Sequence, residues 1–125
     1  MIIEFKSIIK RDGADDEIIK FNSSVIIKKR ENFLTWEFQD PTRKIMNLIE
    51  ANEEKVNIFA GAQTMELKLK DKIKNHYHQE GMPMPIVFES FLNDIKISEN
   101  NLEIQYTLWQ KGNIIGDYNM SLKVK

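Results

Sequence analysis

The sequence predicts an all-β protein folded as a single antiparallel up-and-down (meander) β-barrel of about eight to ten strands. Apolar residues recur at every second position over most of the chain, the period at which strand side chains alternate between two faces. The periodic segments are short, and brief polar, Gly- or Pro-containing turns separate them. No connection looks long enough for the crossover of a Greek-key sandwich, and closure into a barrel removes the exposed edges that invite aggregation.

In the first segment Ile3, Phe5, Ser7 and Ile9 share one face, and Glu4, Lys6 and Lys10 share the other. Residues 11–14, with Gly13, supply turn chemistry. A long second strand then sets Ile19, Phe21, Val25 and Ile27 in phase against Lys20, Asn22, Ser24 and Lys28. Glu31 and Asn32 close it as a tight turn, and Leu34, Trp36 and Phe38 carry the next inward face. Asp40-Pro41 ends that strand, because proline lacks the donor a ladder needs and biases its predecessor toward extended or turn geometry. Residues 43–50 read as a strand, with a short helix over residues 43–54 as the alternative.

Val56, Ile58 and Ala60 follow, Gly61-Ala62 turns, and Met65, Leu67 and Leu69 alternate with Glu66, Lys68 and Lys70. Residues 73–78 form a further strand, and residues 79–83 are the least regular stretch, a corner or rim. Ile86, Phe88, Ser90 and Leu92 hold one phase while Ile95 and Ile97 hold the other, so a β-bulge is expected near Asn93-Asp94. Leu102, Ile104, Tyr106 and Leu108 face inward, opposite Glu103, Gln105 and Thr107. After a hairpin at residues 111–113, Ile114, Gly116, Tyr118, Met120, Leu122 and Val124 continue the inward phase. Glycine within a strand marks sharp coiling or the close approach of a neighbour, which is the expectation for Gly116.

With 125 residues, 42% hydrophobic and 30% charged, the chain suits one domain spanning residues 1–125. Cysteine is absent, which excludes disulfides, thiolate zinc sites and cysteine nucleophiles and suits a reducing compartment. Glu4 and Lys6 break the first apolar run before an export signal could form, and no run approaches the roughly 18 apolar residues of a membrane helix. A cytoplasmic protein without a membrane partner is therefore expected. A net charge of −1 lacks the positive field on which nucleic-acid binding draws.

Tyr77-His78-Gln79-Glu80-Gly81, preceded by Gly61 and Met65-Glu66-Leu67 and followed by the segment from Leu102 to Leu108, resembles the DUF1934 (YwiB-like) family of bacterial proteins. The closing pattern of Gly112, Gly116, Met120, Leu122 and Val124 is in register with it. The resemblance spans the whole chain and implies a calycin-type, lipocalin-like barrel. It implies no activity, since the family is one of unknown function. Where members are expected to carry a basic residue two positions before Gly61, Phe59 stands here, which argues against an anion contact at that point of the rim.

Trp36, Phe88, Tyr106 and Tyr118 all fall on inward faces and are the candidates for lining a ligand cavity in the lumen. Core packing is the commoner fate of such side chains. Ser7, Ser23, Ser90 and Gly116 share that phase, however, and a hydroxyl turned inward must be hydrogen-bonded, hydrated or used. The only two histidines, His76 and His78, lie two apart on one strand and so share a face. Glu66 or Glu80 would complete a metal site there, whereas the plainer reading has both histidines pointing outward, opposite Ile73 and Tyr77. Asp15-Asp16-Glu17 reads as a solvated turn and Lys28-Lys29-Arg30 as a solvated strand end.

A phosphate loop and a nucleophile elbow are both missing, so an enzyme is the less favoured expectation and no cofactor is expected. The lipocalin Gly-x-Trp signature and a helical lid like that of fatty-acid carriers are also absent. The leading expectation is a non-enzymatic barrel that binds a small hydrophobic or amphipathic ligand in its lumen. The alternative is a protein-interaction module that uses an exterior strand face or the 79–85 rim loop. A metal-assisted hydrolase at His76 and His78 stands third.

Overall fold

A computed structural model of the chain describes residues 1–77 and 81–125, and among them it contains ten strands and no helix. The strands are β1 (Ile2–Lys10), β2 (Glu17–Arg30), β3 (Phe33–Gln39), β4 (Met46–Ala51), β5 (Lys55–Ala60), β6 (Gln63–Lys68), β7 (Lys72–Tyr77), β8 (Ile86–Ile97), β9 (Asn101–Gln110) and β10 (Asn113–Val124). Alternating apolar and polar residues force each of them to bury one face, and a single curled sheet does this for all ten.

The sheet order is β6-β5-β4-β3-β2-β1-β10-β9-β8-β7. Every pairing between neighbouring strands is antiparallel and joins consecutive strands except that of β1 with β10, which unites the first strand with the last. The result is a meander rolled into a nearly closed barrel, with a seam between β6 and β7. The long strand β2 turns the corner by changing partners: Glu17 to Ser24 pair with β1, and Val25 to Arg30 pair with β3.

At the seam the main-chain ladder shrinks to an antiparallel bridge from Lys68 to Asp71 and a parallel bridge from Leu69 to Leu92. Side chains complete the closure. Asn75 Oδ1 accepts from the Glu66 N–H (2.8 Å), Asn75 Nδ2 donates to the Glu66 carbonyl (3.2 Å), and Ser90 Oγ donates to that carbonyl (2.6 Å). Asn75 and Ser90 are both buried and bonded to each other at 2.9 Å.

The lumen is packed along most of its length. Ile3, Trp36, Ile49, Leu67, Leu102 and Leu122 are no more than 1% exposed, and burying a side chain of this size contributes roughly 2 kcal/mol. The bulge expected in β8 falls between Leu92 and Asp94 and reverses the phase, so that Ile95 and Ile97 pack on the core. Gly116 is buried, and a Cβ there would stand 3.3 Å from the Lys10 carbonyl oxygen, which accounts for a residue without a side chain.

Two expectations are corrected. A second bulge lies between Ile114 and Gly116, and the extra residue turns Ile114 outward, where it is 56% exposed, rather than into the lumen. The strand expected over residues 43–50 begins only at Met46. The Asp40 carboxylate accepts from the N–H groups of Thr42 (2.8 Å) and Arg43 (3.1 Å), and Lys44 has φ of 55°, so residues 41–44 form a turn that neither a strand nor a helix can absorb.

Candidate functional site

Phenylalanines and tyrosines placed in phase on neighbouring strands meet inside the barrel. Phe5 of β1 is in register with Phe21 of β2, and their rings stack with centroids 4.8 Å apart. Phe38 of β3 tilts against both, at 5.9 and 6.1 Å. Tyr106 of β9 and Tyr118 of β10 are likewise cross-strand partners, with ring centroids 4.8 Å apart and planes within 1° of parallel. Such pairs add about 0.5–1.5 kcal/mol beyond their burial and hold the rings in fixed positions.

These five rings do not fill the end of the lumen beside the β3–β4 turn. A cavity of about 180 Å3 remains there, walled by the rings together with Ser7, Ile9, Ile19, Asp40, Arg43 and Asn47. An enclosed space of about 150 Å3 accommodates benzene, so this one is the size of a single ring with a substituent.

The polar side of the cavity is organised by Asp40, which is 4% exposed. Besides the two main-chain N–H groups of the turn, it accepts from Arg43 Nε at 3.1 Å. Burial pushes its carboxyl upward, but the hydrogen bonds from Arg43 and Thr42 and the Arg43 charge together prevail and hold it below the usual carboxylate range. The Asp40 carboxylate therefore fixes the Arg43 guanidinium at the mouth. Arg11, just beyond β1, pairs with Glu17 at 2.9 Å, and that bond above all raises it further above its already high value. Burial, with a lesser contribution from Tyr118, pushes the Tyr106 phenol well above the ordinary tyrosine range, so it remains a proton donor.

Of the four lumen residues expected from the sequence, Tyr106 and Tyr118 stand on the cavity wall. Trp36 is fully buried in the packed core, its indole N–H without a hydrogen-bond partner among the described residues, and Phe88 is half-buried on β8 opposite Asn75. The inward serines divide. Ser23 donates to the Gln39 carbonyl at 2.8 Å and Ser90 to the Glu66 carbonyl, whereas Ser7 keeps its hydroxyl for the cavity. Sequence reasoning did not single out Phe5, Phe21 and Phe38 for the site, although their shared phase was visible. Asp40 and Arg43 were hidden because residue 43 was read into a strand.

His76 lies exposed on the outer face of β7, and Glu66 is exposed on β6, where its main chain meets Asn75. His78 and Glu80, and with them residue 79 of the rim loop, lie outside the described residues. Among the described residues no three His, Asp or Glu side chains converge to hold a metal ion. Asp15, Asp16 and Glu17 are exposed, as are Lys28, Lys29 and Arg30 at the end of β2. No helix among the described residues is long and apolar enough to cross a membrane.

Among the described residues, four other hollows are larger and less enclosed by the fold, and the two largest of them stand apart from the lumen cavity. One, of about 620 Å3, lies among the exposed hairpin turns at the far end, with Phe33, Leu34 and Ile97 beneath Glu31, Glu53 and Glu99. The other, of about 470 Å3, lies on the outer face of β7 to β10. There Phe91 meets Trp109 edge-on at 6.3 Å, and the Lys72 ammonium stands 4.5 Å from the Trp109 ring centroid. A chain of hydrogen bonds runs beside them from Asn93 Nδ2 to Thr107 Oγ1 (3.0 Å) and from the Thr107 hydroxyl to Asp117 Oδ1 (2.6 Å).

A ten-stranded meander barrel with one small aromatic cavity in its lumen is thus the class of protein that this chain presents. It belongs to the family described as Domain of unknown function (DUF1934), whose model matches residues 3–122. An uncharacterized protein of Mycoplasmopsis pulmonis (strain UAB CTIP) is 28% identical over 128 residues, covering 99% of this chain and 98% of that protein. The crystal structure of the ywiB protein from Bacillus subtilis superposes with a TM-score of 0.73 at 12% identity, over 99% of this chain and 90% of that one. At that identity the likeness is one of fold.

Proposed function

We propose that the protein is a non-enzymatic barrel that binds a small, partly apolar molecule in the cavity between the β3–β4 turn and the Tyr106–Tyr118 pair. The supporting observation is a space of about 180 Å3 lined by Phe5, Phe21, Phe38, Tyr106 and Tyr118 with Ser7, Asp40, Arg43 and Asn47 among them. Apolar rings with a few fixed polar groups among them are how small-molecule sites combine affinity with orientation. Trp36 is buried in the core and does not line this cavity.

Thermal-shift screening with single-ring alcohols, amides and acids, and with long-chain lipids, tests this reading. A ligand at a hundredfold excess over its Kd stabilises by about 2.7 kcal/mol, an easily measured shift. Single-ring compounds should raise the melting temperature of the native protein and not that of Ser7→Leu, whose side chain occupies the space. Equal shifts in the two proteins would contradict the proposal.

A second reading, a protein-interaction surface on the barrel exterior, draws on the outward-facing Phe91, Trp109 and Ile114 of β8 to β10. Apolar groups clustered on an outer face mark interaction sites more often than those scattered singly. Pull-down with native protein and with Trp109→Ser decides it, and an unchanged set of partners would count against this face.

A further inference from the structure

The polar groups that face the cavity are mostly donors without acceptors, and this bears on the charge of the ligand. Ser7 and Tyr106 are each 6% exposed, and neither hydroxyl has a hydrogen-bond partner among the described residues. Neither oxygen is sealed from solvent, so each can turn its proton to an acceptor on a ligand in the cavity. The Tyr106 phenol stays protonated, as its burial requires. Arg43 uses Nε on Asp40 and keeps both terminal nitrogens, four N–H donors, without a partner among the described residues.

Acceptors on the same wall are largely consumed. The Asp40 oxygens take three N–H donors from Thr42 and Arg43. Arg11, just beyond β1, is engaged by Glu17. Asn47 gives its Nδ2 to the Ile45 carbonyl at 3.2 Å, which leaves its Oδ1 and the hydroxyl oxygens of Ser7 and Tyr106 as the neutral acceptors there. The exposed carboxylates of Asp12, Asp15 and Asp16 lie in the loop before β2, where water and salt screen them.

We infer, resting on the ligand-cavity reading above, that the ligand is a small monocarboxylate anion whose apolar part is about the size of one aromatic ring. Its ring lies among the phenylalanines and the tyrosine pair, and its carboxylate accepts from the Arg43 terminal nitrogens and from the Ser7 and Tyr106 hydroxyls. A guanidinium edge held by a carboxylate behind it is the group best matched to a second carboxylate in front, and such charge-assisted bonds are roughly twice as strong as neutral ones.

The test uses three probes of one shape, benzoate, benzyl alcohol and benzylammonium, titrated into the full chain at neutral pH by calorimetry and aromatic NMR. Benzoate should bind at least tenfold more tightly than the other two. Arg43→Gln and Tyr106→Phe should each weaken benzoate several-fold while melting cooperatively, and Lys29→Gln at the far end of the barrel should leave it unchanged. Equal binding of benzoate and benzyl alcohol would overturn the inference and leave the cavity reading standing. Benzoate binding that survives Arg43→Gln undiminished would also overturn it. Binding of none of the three would overturn the cavity reading itself.

Discussion

The carboxamide of Asn75 takes the place of a neighbouring strand for Glu66: it accepts from the Glu66 N–H at 2.8 Å and donates to the Glu66 carbonyl at 3.2 Å. One side chain thereby does what a ladder does at every other junction of the sheet, and Ser90 reinforces it. Asn75→Ala leaves both Glu66 groups without that partner and is expected to destabilise the fold by about 2–3 kcal/mol. Hydrogen exchange at the Glu66 amide should accelerate more than at amides in β1 or β10. Ser90→Ala should cost about 1 kcal/mol, and the double variant less than the sum, since the two side chains are bonded to each other. A loss below 0.5 kcal/mol for Asn75→Ala would show that the seam is held by other means.

Gly116→Ala places a methyl group 3.3 Å from both the Lys10 carbonyl oxygen and Tyr118 Cε1. The carbonyl belongs to the β1 ladder and cannot retreat cheaply, so overpacking of about 1–2 kcal/mol is expected. The Tyr118 ring has to move, and its aromatic NMR signals should shift with those of Tyr106. Unchanged stability in chemical denaturation would contradict the packing described.

Asp40 ties stability to pH. Its folded-state carboxyl lies below the ordinary value near 3.9, so its contribution is complete above that value and is lost as pH falls through the lower folded one. Asp40→Asn should be about 1 kcal/mol less stable than the native protein at neutral pH. The difference should narrow steadily below about pH 4. A constant difference from pH 7 to pH 3 would mean that the charge of Asp40 does not matter.

Tyr106 gives the opposite dependence at high pH. Burial raises it above the ordinary value near 10, so its contribution is complete below about pH 10 and is lost as pH rises beyond it. Ultraviolet titration should show one of the three tyrosines ionising late, together with the onset of unfolding, and Tyr106→Phe should remove that component. Three tyrosines titrating together near pH 10 would contradict the burial of this side chain.

Much of the barrel was legible because a period of two is hard to mistake. Trp36, Leu67, Leu102 and Leu122 could be assigned to the interior from their neighbours alone, and the phase change after Leu92 announced its bulge. Ile114 could not be placed, because both of its neighbouring phases are apolar and a one-residue bulge leaves no mark in such a run. Arg43 was misread for a related reason: what ends the alternation at residue 40 is a side chain bonding its own turn, and the sequence shows the Asp-Pro pair but not how far the turn extends. The role of Asn75 depends on which strand lies across the seam, a long-range relation that local pattern does not carry. The cavity is harder still, since alternation says which rings point inward and nothing about whether they meet in the middle.

A crystal structure of the protein with benzyl alcohol, the neutral probe, shows where a small apolar ligand sits. Density is expected for one ring packed between Phe21, Phe38 and the Tyr106–Tyr118 pair, with its hydroxyl toward Arg43. Density found only outside the barrel, beside Trp109 or among the far hairpins, with the five rings closed over an empty space, would contradict the cavity reading.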